Sequence, residues 1–327
     1  MNEEKIEFPK TLQEAIIYFS DKDRALDFFV GMRWPKGVCC PCCDSTRVSF
    51  TAKRKVWTCE DCPKRRQFSF KVGTIMEDSP IGLDKWLVGM WLITSAKNGI
   101  SSYEIHRALG ITQKSAWFLS HRIRLALQNG TIVKLDGEVE ADETYIGGKS
   151  RNMHYAKRKA KVGRLTGGMH MTPVQGLLQR TGKASKVILK VANSTDRKQF
   201  KNNVKEYVLK GTTVYTDAAH HYKRISDGNE YVHHVVDHAV QYVNGKVHTN
   251  GLENFWSLLK RTIKGTYVSC EPFHLFRYLD EQSFRFNERE DTDAGRFLKA
   301  VANIVGKSLT YAKLTGKTEA GGGLMPA

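Results

Sequence analysis

Two Cys-x2-Cys pairs constrain this 327-residue chain more than any other feature: Cys40 and Cys43, fifteen intervening residues, then Cys59 and Cys62. Zn²⁺ takes four thiolates at tetrahedral corners, and each tight knuckle supplies two of them. Such a set leaves no open coordination position, so the module it builds is structural or DNA-facing, not catalytic. Cys39 and Cys42 overlap the first pair at the same spacing and leave its register open. Cys40 and Cys43 are preferred, because Pro41 then follows the first ligand and Asp44-Ser45 closes the turn. Only Cys270 stands outside this block, and it reads as a core thiol. The opening residues, Met1-Asn2-Glu3-Glu4-Lys5, lack the apolar run of a secretory signal. Clustered thiols without an export signal point to metal in a reducing compartment, so the expected location is the cytoplasm.

The length predicts two or three domains. Lys and Arg number 51 against 34 Asp and Glu, leaving a net charge of +17 and implying a polyanionic partner. Nucleic acid, ribosome and anionic lipid all satisfy that charge. No uncharged apolar run approaches 18 residues, which excludes a transmembrane helix, and no membrane partner is expected.

Residues 11–33 read as helical, with Asp21 or Asp23 as caps, and Trp34-Pro35-Lys36-Gly37 stops them. Short strands are expected around Val48–Phe50 and Val56–Thr58. From Leu83 to about Gln128 the period is helical again. Ser101 with Glu104 three residues later has capping-box spacing, Gly110 turns the chain, and a third helix follows Thr112. These helices resemble a helix-turn-helix in which Gln113, Lys114 and Ser115 would read base edges and Arg122 would add a DNA contact. After Gly130 the pattern alternates as strands do. Two strands lie within 173–192, a helix over about Asp196–Lys210, a short strand over Thr212–Thr216, and helices over Gly251–Thr262 and Phe273–Asn287. The expected organisation is an N-terminal helix and zinc module over 1–75 and a helix-turn-helix over 80–130. A mixed α/β domain over 135–290 and a C-terminal helix with a disordered tail over 291–327 follow.

Three acids in the α/β segment carry the chemistry. Asp142 sits near the end of a strand, Asp217 ends a second one after Val214-Tyr215-Thr216, and Glu253 lies in the first turn of a helix. Carboxylates so placed can converge, and hard oxygen ligands suit Mg²⁺ or Mn²⁺. Two such ions can serve an in-line phosphoryl transfer. Lys260, two helical turns beyond Glu253, points the same way and could grip a phosphate. Spacing alone fits solvated surface charges better than a metal site.

Three motifs decide between these readings: Ala141-Asp142-Glu143-Thr144-Tyr145-Ile146-Gly147-Gly148-Lys149, Val214-Tyr215-Thr216-Asp217, and His248-Thr249-Asn250-Gly251-Leu252-Glu253-Asn254-Phe255-Trp256-Ser257. In them the chain resembles bacterial insertion-sequence transposases of the ISXO type, a DDE-superfamily group. Asp217 and Glu253 are separated by 35 residues, similar to the usual spacing of such cores. The resemblance implies an N-terminal zinc ribbon and an RNase H-like core, a mixed sheet flanked by helices. It implies Asp142, Asp217 and Glu253 as ligands of two divalent ions, Lys260 as the DNA-contacting lysine, and cleavage and joining of transposon ends. His248 and Asn250 stand as further helpers, since some relatives replace the third acid.

Lys149, Arg151, Lys157, Arg158, Lys159, Lys161 and Arg164 follow the first acidic strand without an intervening acid, and they are expected to meet the DNA backbone. Six of the eleven histidines fall between His220 and His248. His234 and His238 could pair on a metal only if Val235-Val236 were not strand. Gly306-Lys307-Ser308 and Gly316-Lys317-Thr318 lack the upstream glycine of a phosphate-binding loop, so no nucleotide cofactor is expected. The expected partners are double-stranded DNA and further copies of the chain. A regulator with an idle core, or a nuclease that cuts without joining, would share these features.

Overall fold

The computed structural model describes residues 7–64, 66–128, 134–148, 155, 171–192, 197–217, 230–236 and 248–317. They fall into two compact units: one joins 1–128 with 291–327, and the other is 129–290.

In the first unit, α1 (Leu12–Ser20) and α2 (Lys22–Arg33) divide the helical stretch that the sequence runs together. Asp21 is the reason. Its backbone is extended, and its side chain accepts from the amides of Asp23 and Arg24, capping the second helix while ending the first. A three-stranded antiparallel sheet follows, from β1 (Val48–Thr51), β2 (Val56–Cys59) and β3 (Gln67–Ser69). Helices α3 (Leu83–Ser95), α4 (Ser102–Leu109) and α5 (Gln113–Ala126) come next. Ser101 and Glu104 make the capping box, Gly110 turns the chain with φ +57°, and Thr112 caps α5.

The second unit is built on a five-stranded sheet. Its strands are β4 (Glu138–Ile146), β5 (Thr172–Gln179), β6 (Lys186–Val191), β7 (Thr213–Asp217) and β8 (Val232–Val236). The spatial order is β6-β5-β4-β7-β8; the first three are antiparallel, while β4–β7 and β7–β8 are parallel. Strand alternation sends Val139, Ala141, Leu177 and Val214 to one face, under α6 (Arg197–Tyr207) and its Phe200 and Val204. The opposite face takes Val174, Leu178 and Val187, under α7 (Asn250–Arg261) and α8 (Leu275–Asn287). This helix–sheet–helix sandwich with a mixed sheet is the architecture of an RNase H-like core. The outer edge at β6 is closed by a side-chain mimic of a strand. Val187 N–H donates to Asn287 Oδ1 at 2.7 Å, and Asn287 Nδ2 donates back to Val187 O at 3.0 Å.

The first unit is completed by α9 (Asp293–Ala302) and α10 (Tyr311–Thr315), so the chain returns to it after the sheet. Lys307, part of the glycine-lysine-serine triplet, donates to the carbonyls of Ala126 and Gln128 and so caps the end of α5.

One close approach sets the seat of α7. Gly176 on β5 lies under it, and a Cβ there would stand 2.7 Å from the Trp256 ring and 2.8 Å from Leu252. Gly176→Ala is therefore expected to lift the helix off the sheet at a cost of about 1–3 kcal/mol. Urea unfolding measures it, and an unchanged midpoint would show the seat to be loose.

Candidate functional site: a zinc ribbon and a carboxylate cluster

Three sulfurs of the preferred Cys-x2-Cys register gather, while Cys42 keeps a side-chain bond to Cys62. Cys40, Cys43 and Cys59 bring their Sγ atoms within 4.8 Å of one another, and Cys62 is buried with Cys40 and Cys59. Cys43 Sγ and Cys59 Sγ are 3.7 Å apart, close to the edge of a tetrahedron whose arms are about 2.3 Å long. The knuckle is closed by Cys40 N–H donating to Ser45 O and Asp44 N–H donating to Cys40 O, both at 2.9 Å, with Asp44 left-handed at φ +57°. The donor set fits a structural zinc ion, which would be held by Cys40, Cys43, Cys59 and Cys62. Chelating that zinc is expected to melt the β1–β3 sheet, read as lost hydrogen-exchange protection over residues 48–69. Protection that survives chelation would mean the aromatic packing of Trp57 on Phe68 suffices alone.

The helical pair after the ribbon departs from one expectation. Arg122 does not face outward: it is 7% exposed, and its guanidinium donates to Leu309 O at 3.0 Å and Glu77 O at 2.7 Å. The position is a structural tie to the C-terminal segment, in place of the expected DNA contact. Lys114 is exposed, with its ammonium 4.8 Å from the Tyr311 ring centre, and Gln113 Nε2 donates to Ser102 Oγ at 3.0 Å. The open surface of α5 is confined to this N-terminal end.

The carboxylates meet on the second unit. Asp142 on β4 and Asp217 at the end of β7 offer oxygens within 4.8 Å of each other, and Glu143 belongs to the same group. Glu143 was not singled out in the sequence, because strand alternation assigns it to the face opposite Asp142; only its proximity in three dimensions reveals it. Glu253, exposed in the first turn of α7, stands outside that tight group, yet its charge acts on Asp142. Lys260 is half-buried two turns along the same helix. This helix forms because Leu252, Phe255, Trp256 and Leu259 make a buried stripe at helical spacing. The stripe also orients the site, since Trp256 Nε1 donates to Asp142 Oδ2 at 2.8 Å. A cluster of hard oxygen donors with one member fixed by an indole is a set that suits Mg²⁺ or Mn²⁺.

The other expected residues are placed less fully. Lys149, Arg151, Lys157, Arg158, Lys159, Lys161, Arg164 and His238 lie outside the described residues. His234 is exposed on β8, confirming strand at Val235-Val236, and His248 accepts from Arg180 Nη2 at 3.0 Å.

Burial, first of all, pushes the Asp142 carboxyl up to about 6; the bonds from Trp256 and the Glu143 backbone lower it, and the charges of Asp217 and Glu253 raise it further. A carboxyl raised on folding binds more protons folded than unfolded between its two pKa values. Its contribution to stability is therefore present at low pH and fades as pH rises through about 4 to 6. Metal-free wild type should lose stability against Asp142→Asn across that window. Parallel melting curves at every pH would rule this out.

Residues 134–287 match the ISXO2-like transposase domain, and residues 20–65 match the transposase zinc-ribbon domain. A protein of transposable element ISH50 from Halobacterium salinarum is 28% identical over 253 residues, covering 74% of this chain and 83% of its own length. The carboxylate-bearing sheet is thus similar to the ISXO2-like transposase domain, and the cysteine ribbon to a transposase zinc ribbon.

Proposed function

We propose that the chain is the transposase of an insertion sequence, and that it cuts the 3′ ends of the element and joins them to target DNA by direct in-line phosphoryl transfer. The observation that carries this reading is the convergence of Asp142, Asp217 and Glu143 on one point, with the Glu253 charge acting on Asp142. In the first step the oxygen of a water bonds to phosphorus at the element's end, and the bond to the 3′ oxygen breaks. In the second, the freed 3′ hydroxyl bonds to a target phosphorus and displaces the target's own 3′ oxygen. No protein atom is bonded to phosphorus in either step.

Asp142, Asp217 and Glu253 would hold two divalent ions, which when bound supply charge neutralisation at the phosphate and a more acidic attacking oxygen. Trp256 keeps the Asp142 carboxylate turned toward the cluster. Lys260, on the helix of Glu253, would meet a phosphate beside the acids. Gln113 and Lys114 at the exposed start of α5, with Lys149, Arg151, Lys157, Arg158, Lys159, Lys161 and Arg164, would contact the double-stranded DNA. Two element ends must be held together, so the working form would be a multimer. Among the described residues no helix is long and apolar enough to cross a membrane, and the proposed place of work is the cytoplasm, on the nucleoid.

Strand transfer with Mg²⁺ or Mn²⁺ and DNA carrying the element's own ends, comparing wild type with Glu253→Ala, tests the reading. Loss of an outer-shell partner of a metal site costs about 10–100-fold, so loss of a direct ligand should lower joined product by more than about 10²-fold. Binding without cutting in wild type would favour a regulator, and cutting without joining would favour a nuclease.

A further inference from the structure

A second layer of side chains lies one rung below the three acids, on the same strands and the same helix. Glu140 precedes Asp142 by two residues on β4, Tyr215 precedes Asp217 by two on β7, and the two are direct partners in the parallel register. Leu252 is the residue before Glu253. All three are joined by one carboxylate and one guanidinium. Glu140, 1% exposed, accepts from Arg180 Nε at 2.7 Å through one oxygen and from the Leu252 backbone N–H at 2.8 Å through the other. The Arg180 guanidinium lies 4.1 Å from the Tyr215 ring centre and donates to the His248 carbonyl and to its Nδ1.

Helix α7 needs this help. Its N-cap, Thr249, makes no side-chain capping bond, so the amides of the first turn lack the usual local acceptor. Glu140 takes that part from across the sheet, with its negative charge at the positive end of the helix. Gly251 permits the approach, since a Cβ there would stand 2.9 Å from the Glu140 carboxylate. Fixing the first turn of α7 fixes the point from which the Glu253 side chain departs.

We infer that Glu140 and Arg180 are positioning residues, which dock the first turn of α7 on β4 and thereby set Glu253 against Asp142 and Asp217. The inference rests on the proposed metal-binding role of those acids. Neither residue touches the reacting atoms; both act through the helix end.

The test is Mn²⁺ binding to the zinc-loaded full chain, followed by the paramagnetic resonance of the free ion, with hydrogen exchange at the Leu252 amide as a second readout. Glu140→Ala is expected to weaken Mn²⁺ binding about 10–100-fold, the range for outer-shell partners of a metal site, and to speed Leu252 exchange. Glu140→Gln keeps an acceptor for the Leu252 amide and should recover part of both effects, a rescue that loss of bulk stability would not produce. Glu253→Gln should weaken Mn²⁺ binding while leaving Leu252 exchange as in wild type. Where the alanine variant fails to fold, Gly251→Ala pushes on the same carboxylate from the helix side and should act in the same direction. Fast Leu252 exchange with Mn²⁺ binding unchanged would overturn the positioning role alone. Wild type that binds no Mn²⁺, or binds it equally with Glu253→Gln, would instead overturn the metal-site reading and leave Glu140 as a helix cap only.

Discussion

The proposed site depends on how one helix end is held against a sheet. A carboxylate–guanidinium pair, Glu140 buried and Arg180 partly so, does the holding, and it is an expensive way to bind two elements. Desolvating both ions offsets most of their attraction, so such a pair adds little net stability compared with apolar residues of the same shape. Removing one partner, by contrast, costs about 3–5 kcal/mol. A pair of that kind is therefore steep in geometry while shallow in stability. It tolerates one arrangement of β4, α7 and His248, and penalises the rest. An apolar contact would have allowed the helix to slide along the sheet by fractions of a turn, and the Glu253 carboxylate would have moved with it.

The apolar part of the same interface sets distance where the ion pair sets register. Gly176 leaves room for the Trp256 ring to lie on β5, in register with Asp142 on the neighbouring strand. The indole N–H then reaches the Asp142 carboxylate, and one residue belongs both to the core and to the acid cluster. This coupling explains why the buried stripe and the acids share a helix: the face that packs also aims.

What was legible in the sequence was what is encoded locally. The cysteine spacing names a ribbon because both knuckles are complete within four residues each, and the structure gathers the sulfurs of Cys40, Cys43 and Cys59. Ser101, Glu104, Gly110 and Thr112 announce the ends of α4 and α5 because caps act over three residues. Asp142, Asp217 and Glu253 are singled out by long motifs, not by spacing. The residues that were not legible owe their roles to partners far away in the chain. Glu140 meets an arginine 40 residues on and an amide 112 residues on. Arg122, read from its helix as an outward charge, is claimed by a carbonyl 187 residues away. No local pattern carries such information. Asp21 shows the reverse failure: it is legible as a cap, yet the helical period runs on across the break it makes between α1 and α2.

The position of the acids also follows from how the sheet is wound. Strand β4 is its pivot, antiparallel to β5 on one side and parallel to β7 on the other. The parallel pairing covers only Glu138–Ala141 against Thr213–Thr216, and β7 ends at Asp217. Beyond Ala141, β4 runs on to Ile146 paired with β5 alone. Asp142 is thus the first residue of β4 past that ladder, and Asp217 is the last residue of β7. Ligand sites of open sheets gather beyond the carboxyl ends of parallel strands, where neighbouring connections part in opposite directions. The chain leaves β4 for a hairpin partner and reaches β7 only after α6, so this is the point at which they part. Asp142 and Asp217 each follow the last paired residue of the β4–β7 ladder, Ala141 and Thr216, so their carboxylates meet where that ladder stops. Trp256 on α7 donates to Asp142 there, so the helix that reaches the cluster is also the one that carries Glu253.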